Sequence, residues 1–455
     1  MIRLGFFCLL VTAFFSKGFH HFDEHFQILE FARFKLLSTL PTDLPWEFQA
    51  QMRSSLQPWL VIFVHKSLRV LNLENPFLVT LILRLLTAVF AWAASVTLLK
   101  TFEKEVPEKW LTKLVIPLSF FFWLSVYNGV RFSSENWGGI FFALGLCLAL
   151  RSPFLAGALL GISFLSRFQM GLMIFGLGLW LILIKKASLR ELLKLALVFG
   201  TLLIFGLLLD HEFYGGWPVT FWNYFENNLI QGKAAQFGVQ PWYEYFKVLF
   251  MDLIPPFSLF FIAGLLAFFW FYPKHVLTFS LVPFLVVHSA LEHKEARFLF
   301  PMLYFFPIVL GLGLSALAKK LSWSDFSSRF LTGIFYVFWT VNGALLLAVM
   351  LHPADKDTEL YEAIYRAKPD RLLFTTENPF RRAGFDLKYY QRPGFKVLAF
   401  NKHDEPTGKT LVVSQDLNAA IAEDKVVYRS APNWVRRFNF NHWLERTRFW
   451  VLFWQ

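Results

Sequence analysis

Residues 77–99 read FLVTLILRLLTAVFAWAASVTLL, with Arg84 the one charged residue in the run. A helix needs roughly 20 apolar residues to cross the hydrocarbon core of a bilayer, and this run is long enough. Further apolar runs cover 2–19, 111–127, 134–150, 153–166, 168–184, 192–209, 251–272, 275–291, 298–318 and 330–351. Together they predict an all-α polytopic membrane protein with about eleven spans. A closed barrel would instead need short alternating strands, and the sequence has no such pattern over 1–352.

The composition agrees. Of 455 residues, 56% are hydrophobic and 17% charged, against roughly 45–50% and about 25% in soluble domains. The net charge of +12 fits cytoplasmic loops and attraction to anionic lipid, and no nucleic-acid partner is expected. Phe (57) and Trp (17) suit lipid-facing and interfacial positions. Cys8 and Cys147 lie in apolar runs and offer neither a disulfide framework nor a metal pattern, so both read as buried thiols. Residues 2–19 resemble a signal peptide, but Phe15-Ser16-Lys17-Gly18-Phe19 is a poor cleavage site, so an uncleaved first helix is expected.

Positive charge sets the orientation. Lys100, Lys104, Lys109 and Lys113, then Lys185, Lys186 and Arg190, then Lys319 and Lys320, form basic loops. All three sit in the cytoplasm if 57–72 does not span. The loops at 20–76, 128–133, 210–250 and 292–297 then share the external side. Within the first of these, Phe26, Leu29, Phe31, Phe34 and Leu37 recur at near-helical spacing, which predicts a helix along the membrane surface. After residue 352 the pattern changes to short strand-like runs, including Leu372–Phe374, Val397–Phe400 and Thr410–Val413. The expected organisation is a membrane module over 1–352 and a small extramembrane α/β domain over 353–455 on the external side.

The polar residues at this face form five groups. His21, Asp23 and Glu24 follow the first helix. Sugar transfer to an alcohol needs a general base, and a carboxylate at a lipid-accessible mouth supplies one; a solvated loop start accounts for the pair equally well. Trp46 and Glu47 precede Arg53, whose planar fork suits a phosphate, either of a substrate or of ordinary lipid. Arg131 precedes Ser133 and Ser134, either of which can cap the following helix. Asp210, Tyr214, Asn223, Gly238 and Trp242 belong to a stretch rich in Gly, Asn and aromatics, suited to sugar faces or to interfacial anchoring. His293, Lys294, Glu295 and Arg297 crowd one short turn, a costly arrangement near a membrane unless paired or solvated. Lys294 or Arg297 can hold a phosphate there, with Glu295 positioning it; a plain charged turn is the alternative. No ligand spacing supports a metal.

These groups together resemble glycosyltransferase family 22, the mannosyltransferases of GPI-anchor and N-glycan assembly that use dolichol phosphate mannose. The family's His-Pro-Asp-Glu pattern is matched by His21-Phe22-Asp23-Glu24, with Phe22 in place of proline. Its Thr-Trp-Glu and Arg-Ser-x-x-x-Pro patterns are matched by Pro45-Trp46-Glu47, with Pro45 in place of threonine, and by Arg53–Pro58, and its Arg-Thr-x-Ser-Asn-x-x-Glu pattern loosely by Arg131–Asn136. Phe213–Trp242 follows the family's Phe-Tyr-Gly to Pro-Trp sequence. His293-Lys294-Glu295-Ala296-Arg297-Phe298-Leu299-Phe300-Pro301 matches the His-Lys-Glu-x-Arg-Phe-x-x-Pro signature without a break. The resemblance covers about residues 1–305 and implies a GT-C fold with its active site on the external face. It implies transfer with inversion from a polyprenyl-phosphate-linked sugar to a glycan or glycolipid acceptor, with no cofactor. By that analogy Asp23 is the base, and Glu24, His293, Lys294, Glu295 and Arg297 shape the pocket or meet the phosphate. A lipid-linked saccharide transporter and a catalytically silent relative are the competing readings. A transporter would place charge at the midplane or show inverted repeats, and neither pattern is present in the sequence.

Overall fold

The structure is a computed structural model, and it describes residues 1–37, 40–322, 329–401, 408–416, 421–443 and 447–455. Among these residues four helices are long and apolar enough to cross a membrane: Pro76–Phe102, Glu108–Asn128, Leu189–Tyr214 and Gly333–Leu351. Two further pairs pass together but bend at a break, Phe257–Phe271 with Val276–Ala290 by 116° and Ala296–Tyr304 with Phe306–Lys320 by 73°. Ile2–Phe15, Pro153–Ser166 and Met170–Leu183 are shorter apolar helices. The chain divides into two units. The first holds residues 1–15, 50–59 and 83–351; the second holds 16–49, 60–82 and 352–455.

In the first unit the apolar helices pack through small residues, which let backbones approach where no hydrophobic force separates helix from lipid. Gly157 and Gly161, one turn apart on Pro153–Ser166, face Leu189–Tyr214: a methyl group at Gly157 would lie 2.5 Å from the Leu195 carbonyl oxygen, and one at Gly161 would lie 2.6 Å from the Leu202 Cβ. Gly313 fits against the Gly264 carbonyl in the same way. Aromatic side chains fill the wider gaps. Phe122, Phe261, Phe300, Phe306 and Phe338 join Leu310 and Leu314 in one buried cluster.

Buried backbone groups must find partners where water is absent, and polar side chains inside the helices supply them. Helix Glu108–Asn128 breaks at Phe122, whose backbone is extended (ψ 123°). Asn342 bridges the break, its Oδ1 accepting the Trp123 N–H at 3.0 Å and its Nδ2 donating to the Phe121 carbonyl at 2.8 Å. Arg84, the charge inside the 77–99 run, donates from Nε to the Ala13 carbonyl at 2.7 Å. The predicted cap is present: Ser133 Oγ accepts the Asn136 N–H at the start of Ser134–Ala149. Both cysteines are buried free thiols.

The stretch 210–250, expected as a loop, is partly helical. Asp210 and Tyr214 still belong to Leu189–Tyr214, which ends only where Gly215 takes up a left-handed backbone (φ 76°) that other residues resist. Thr220–Phe225 and Glu244–Asp252 are helices as well. The apolar run 298–318 is bent by 73° where the 3₁₀ segment Ala296–Tyr304, which contains Pro301, gives way to Phe306–Lys320, with Pro307 in its first turn.

The second unit is built on a five-stranded sheet. Its strands are β1 (Arg371–Phe374), β4 (Lys396–Ala399), β5 (Thr410–Ser414), β6 (Val426–Arg429) and β7 (Val451–Trp454), while β2 (Arg381–Arg382) and β3 (Phe385–Asp386) form a separate hairpin. The order is β4-β1-β5-β7-β6, with β1 parallel to β4 and β5, and β7 antiparallel to β5 and β6. The three strand runs read from sequence fall on β1, β4 and β5. Every residue of β5 is buried, as expected of a central strand covered on both faces. Helix Asp357–Ala367 buries Leu360, Tyr361 and Ile364.

The surface-helix stretch belongs to this same unit. Lys17 pairs with Glu362 at 2.7 Å, and its carbonyl accepts the Ala354 N–H at 2.7 Å. Arg33 Nη1 donates to the Gln391 carbonyl at 3.0 Å, and Lys388 pairs with Asp43 at 2.7 Å. Phe77 stacks on Tyr390 with ring centroids 4.7 Å apart.

Candidate active site

The candidate residues fall into two groups, one in each unit. In the second unit the helical stretch after the first apolar helix opens at Phe22. His21 caps it, with Nδ1 accepting the Asp23 N–H at 3.2 Å. While that bond is made the imidazole carries its proton on Nε2. The Asp23 carboxylate lies 3.7 Å from the same Nδ1, beyond hydrogen-bond range, and is 23% exposed. Glu24 turns back, and its Oε2 accepts the His20 N–H at 2.9 Å. Both acids sit in the first helical turn, where the helix dipole favours negative charge.

The helix widens immediately afterwards into a π-helix over His25–Glu30, a geometry common at functional sites. It puts three polar side chains into the interior. His25 and Glu30 meet at 2.8 Å, Glu30 accepts the Tyr389 N–H at 2.8 Å, and Gln27 donates to Glu47 at 3.2 Å. Glu47 is thereby tied to the Asp23 helix. Trp46, half-buried, begins the short helix that carries Glu47. Glu30 and Arg33 lie outside the polar stretch 20–27 that the sequence singles out.

In the first unit two networks form. In one, Asp210 is 1% exposed and accepts three hydrogen bonds: from the Ser55 N–H (2.7 Å), Ser55 Oγ (2.6 Å) and Thr220 Oγ1 (2.7 Å). Tyr214 Oη donates to the Arg53 carbonyl at 2.7 Å, and Asn223 Nδ2 donates to the carbonyls of Ala50 and Gln51. The Arg53 guanidinium lies over the Tyr224 ring, 5.2 Å from its centroid. Asp210 and Tyr214 therefore brace the backbone of the segment that presents Arg53. Thr220→Val, which keeps the side-chain shape and deletes one bond to the buried carboxylate, should lower stability by about 1.5–3 kcal/mol. Thermal unfolding of the detergent-solubilised protein reads this, and an unchanged midpoint would remove the brace.

The other network centres on Arg297, which is buried. Its Nε and Nη2 donate to Glu295 at 2.5 and 3.1 Å, and its Nη1 donates to Glu135 at 3.1 Å. Arg167 reaches the same Glu135 oxygen at 3.2 Å. His293 contacts Glu295 through Nε2 at 2.8 Å and the Gly238 carbonyl through Nδ1 at 3.1 Å. Lys294 is buried against carbonyl oxygens of Gln240 and Leu291. Arg131, fully buried, lies over the Tyr127 ring, 5.2 Å from its centroid, and its carbonyl accepts from Asn136. Arg167 was missed, although a lone cation between two apolar runs is itself a signal. Among the described residues no group of His, Cys, Asp and Glu is arranged to hold a metal.

A family model for the Alg9-like mannosyltransferases matches residues 4–395. The chain belongs to that family. Among curated family relatives, human GPI alpha-1,2-mannosyltransferase 3 is 26% identical over 348 residues, covering 72% of this chain and 60% of that protein. Mannosyltransferase APTG1 of Arabidopsis thaliana is 26% identical over 339 residues, covering 68% and 57%. The chain thus spans about three fifths of the length of these relatives. Among solved structures, ArnT from Cupriavidus metallidurans bound to undecaprenyl phosphate superposes with a TM-score of 0.51 at 10% identity, over 99% of this chain and 97% of that one. The likeness is one of fold, and it identifies the GT-C architecture expected from the motifs.

Proposed function

We propose that the protein is an inverting glycosyltransferase that moves a mannosyl, or related hexosyl, residue from a polyprenyl-phosphate carrier to a hydroxyl of a glycan or glycolipid. The observation that carries this is the partly exposed Asp23 carboxylate at the first turn of the helix that His21 caps after the first apolar segment. In the proposed step the acceptor oxygen bonds to the anomeric carbon while the bond from that carbon to the carrier phosphate breaks. The phosphate leaves with the electron pair, and Asp23 takes the hydroxyl proton. A base so placed contributes on the order of 10²–10⁴ in rate. Arg53, its backbone braced by Tyr214 and its loop by Asp210, is the cation assigned to the developing phosphate charge. Glu24 and His21 hold the helix start. Trp46, Glu47, Arg131 and the His293–Arg297 turn shape the donor and acceptor surfaces. No cofactor enters the step.

The names of the curated relatives support a glycolipid acceptor of the GPI type, and the lipid phosphate bound in the ArnT structure supports the carrier class. We place the reaction on the external face, periplasmic or luminal, and count about eleven spans by taking each apolar segment separately. The membrane module then covers 1–352, and 353–455 is the extramembrane domain. The bent helix pairs among the described residues are a feature a transporter would share. Purified protein, labelled polyprenyl phosphate mannose and candidate glycolipids decide between them. Labelled glycolipid together with free carrier phosphate is expected. Carrier that crosses the vesicle bilayer with its sugar intact would establish the transporter instead.

A further inference from the structure

The proposed chemistry leaves one cavity in the second unit unused. Phe22, Glu377, Arg381, Arg382, Gly384 and Arg448 line an open pocket of about 300 Å³. Three guanidiniums face one lining carboxylate. The β2–β3 hairpin builds one wall: its two-residue turn, Ala383-Gly384, has positive φ at both positions (48° and 85°), the geometry that closes a tight hairpin. Arg382, mostly buried, pairs with Asp355 at 3.9 Å and with Asp357 behind the pocket. Arg448 pairs with Glu377 at 2.9 Å, an ion pair more than two-fifths exposed on each side and so of little worth in water. Arg381 is exposed and makes no ion pair among the described residues. Phe22 also lines the pocket and is the residue directly before Asp23. It is also the position at which this chain departs from the family's proline.

We propose that this pocket binds a lipid-linked phosphate, either that of the polyprenyl carrier, a diester while the sugar is attached and a monoester once it has left, or the phosphodiester of a glycolipid head group. Guanidinium forks recognise phosphate oxygens bidentately. Here two of the three arginines are exposed, and Glu377 can yield Arg448 to a stronger anion. A phosphate bound there lies one residue from the carboxylate read above as the base, so the pocket's catalytic meaning rests on that reading, whereas its binding does not.

The experiment measures binding without turnover. Full-length protein in nanodiscs of uncharged lipid is titrated separately with undecaprenyl phosphate and with glycerophosphoinositol. In Arg381→Gln/Arg448→Gln, Kd is expected to rise at least about tenfold for one probe or both. A loss confined to undecaprenyl phosphate assigns the pocket to the carrier, and a loss confined to glycerophosphoinositol assigns it to the glycolipid head group. Both affinities within twofold of wild type would overturn the proposal. Should the double variant melt early, Arg381→Gln alone decides by the same criterion, since its side chain is exposed. Asp23→Asn is expected to bind both probes normally, so failure of the base assignment leaves this result standing.

Discussion

Asp23→Asn is expected to reduce mannosyl transfer by about 10²–10⁴-fold while membrane insertion, melting temperature and carrier binding stay as they are. Asparagine keeps the size of the side chain and can still face His21, but its amide cannot take a proton from the acceptor hydroxyl. The carboxylate is partly exposed and lies 3.7 Å from the His21 ring nitrogen. Glu24→Gln provides the contrast. Glu24 accepts the His20 N–H at 2.9 Å, a bond the Gln carbonyl can also accept, so its loss of rate should be several-fold at most. Initial rates with purified variants and polyprenyl phosphate mannose check both. Full turnover by Asp23→Asn would remove the base, and equal losses in the two variants would mean that the helix start acts only as a scaffold.

What the sequence discloses of this molecule follows the physics of each part. Membrane helices announce themselves because every lipid-facing position must be apolar, so 77–99 and 192–209 are visible by length alone. The Ser133 cap and the strands around Leu372, Leu398 and Leu411 are equally local signals. Less visible is the tie between the Asp23 helix and the C-terminal segment. Glu30 and Tyr389 are 359 positions apart, and no periodicity connects them. The π-helix adds a second obstacle, since it turns Gln27 and Glu30 inward against the spacing of an ordinary helix. Asp210 shows a third kind of gap. The sequence groups it with a stretch suited to sugar faces, and only the structure reveals its three bonds to Ser55 and Thr220. Composition reveals that a buried acid needs a reason, but only geometry says which reason.

The same distinction governs the His293–Arg297 turn. Arg297→Ala should destabilise the protein by about 3–5 kcal/mol, the cost of breaking a buried ion pair from one side. Arg297 directs three guanidinium nitrogens at Glu295 and Glu135, and Glu135 is 3% exposed. Deleting the arginine removes three donor nitrogens from these two carboxylates, while Arg167 and His293 still reach Glu135 and Glu295. Because the penalty lies mainly in the stranded carboxylates, Arg297→Ala/Glu135→Gln should recover about 1–3 kcal/mol of it, a coupling that independent sites would not show. Thermal unfolding of the single and double variants in detergent measures both numbers. The opposite pattern has a definite meaning as well. An unchanged melting temperature with a large loss of undecaprenyl phosphate affinity would make Arg297 a direct phosphate ligand, released from Glu295 when the carrier arrives, and the carboxylates would then be its resting partners and not its structural purpose.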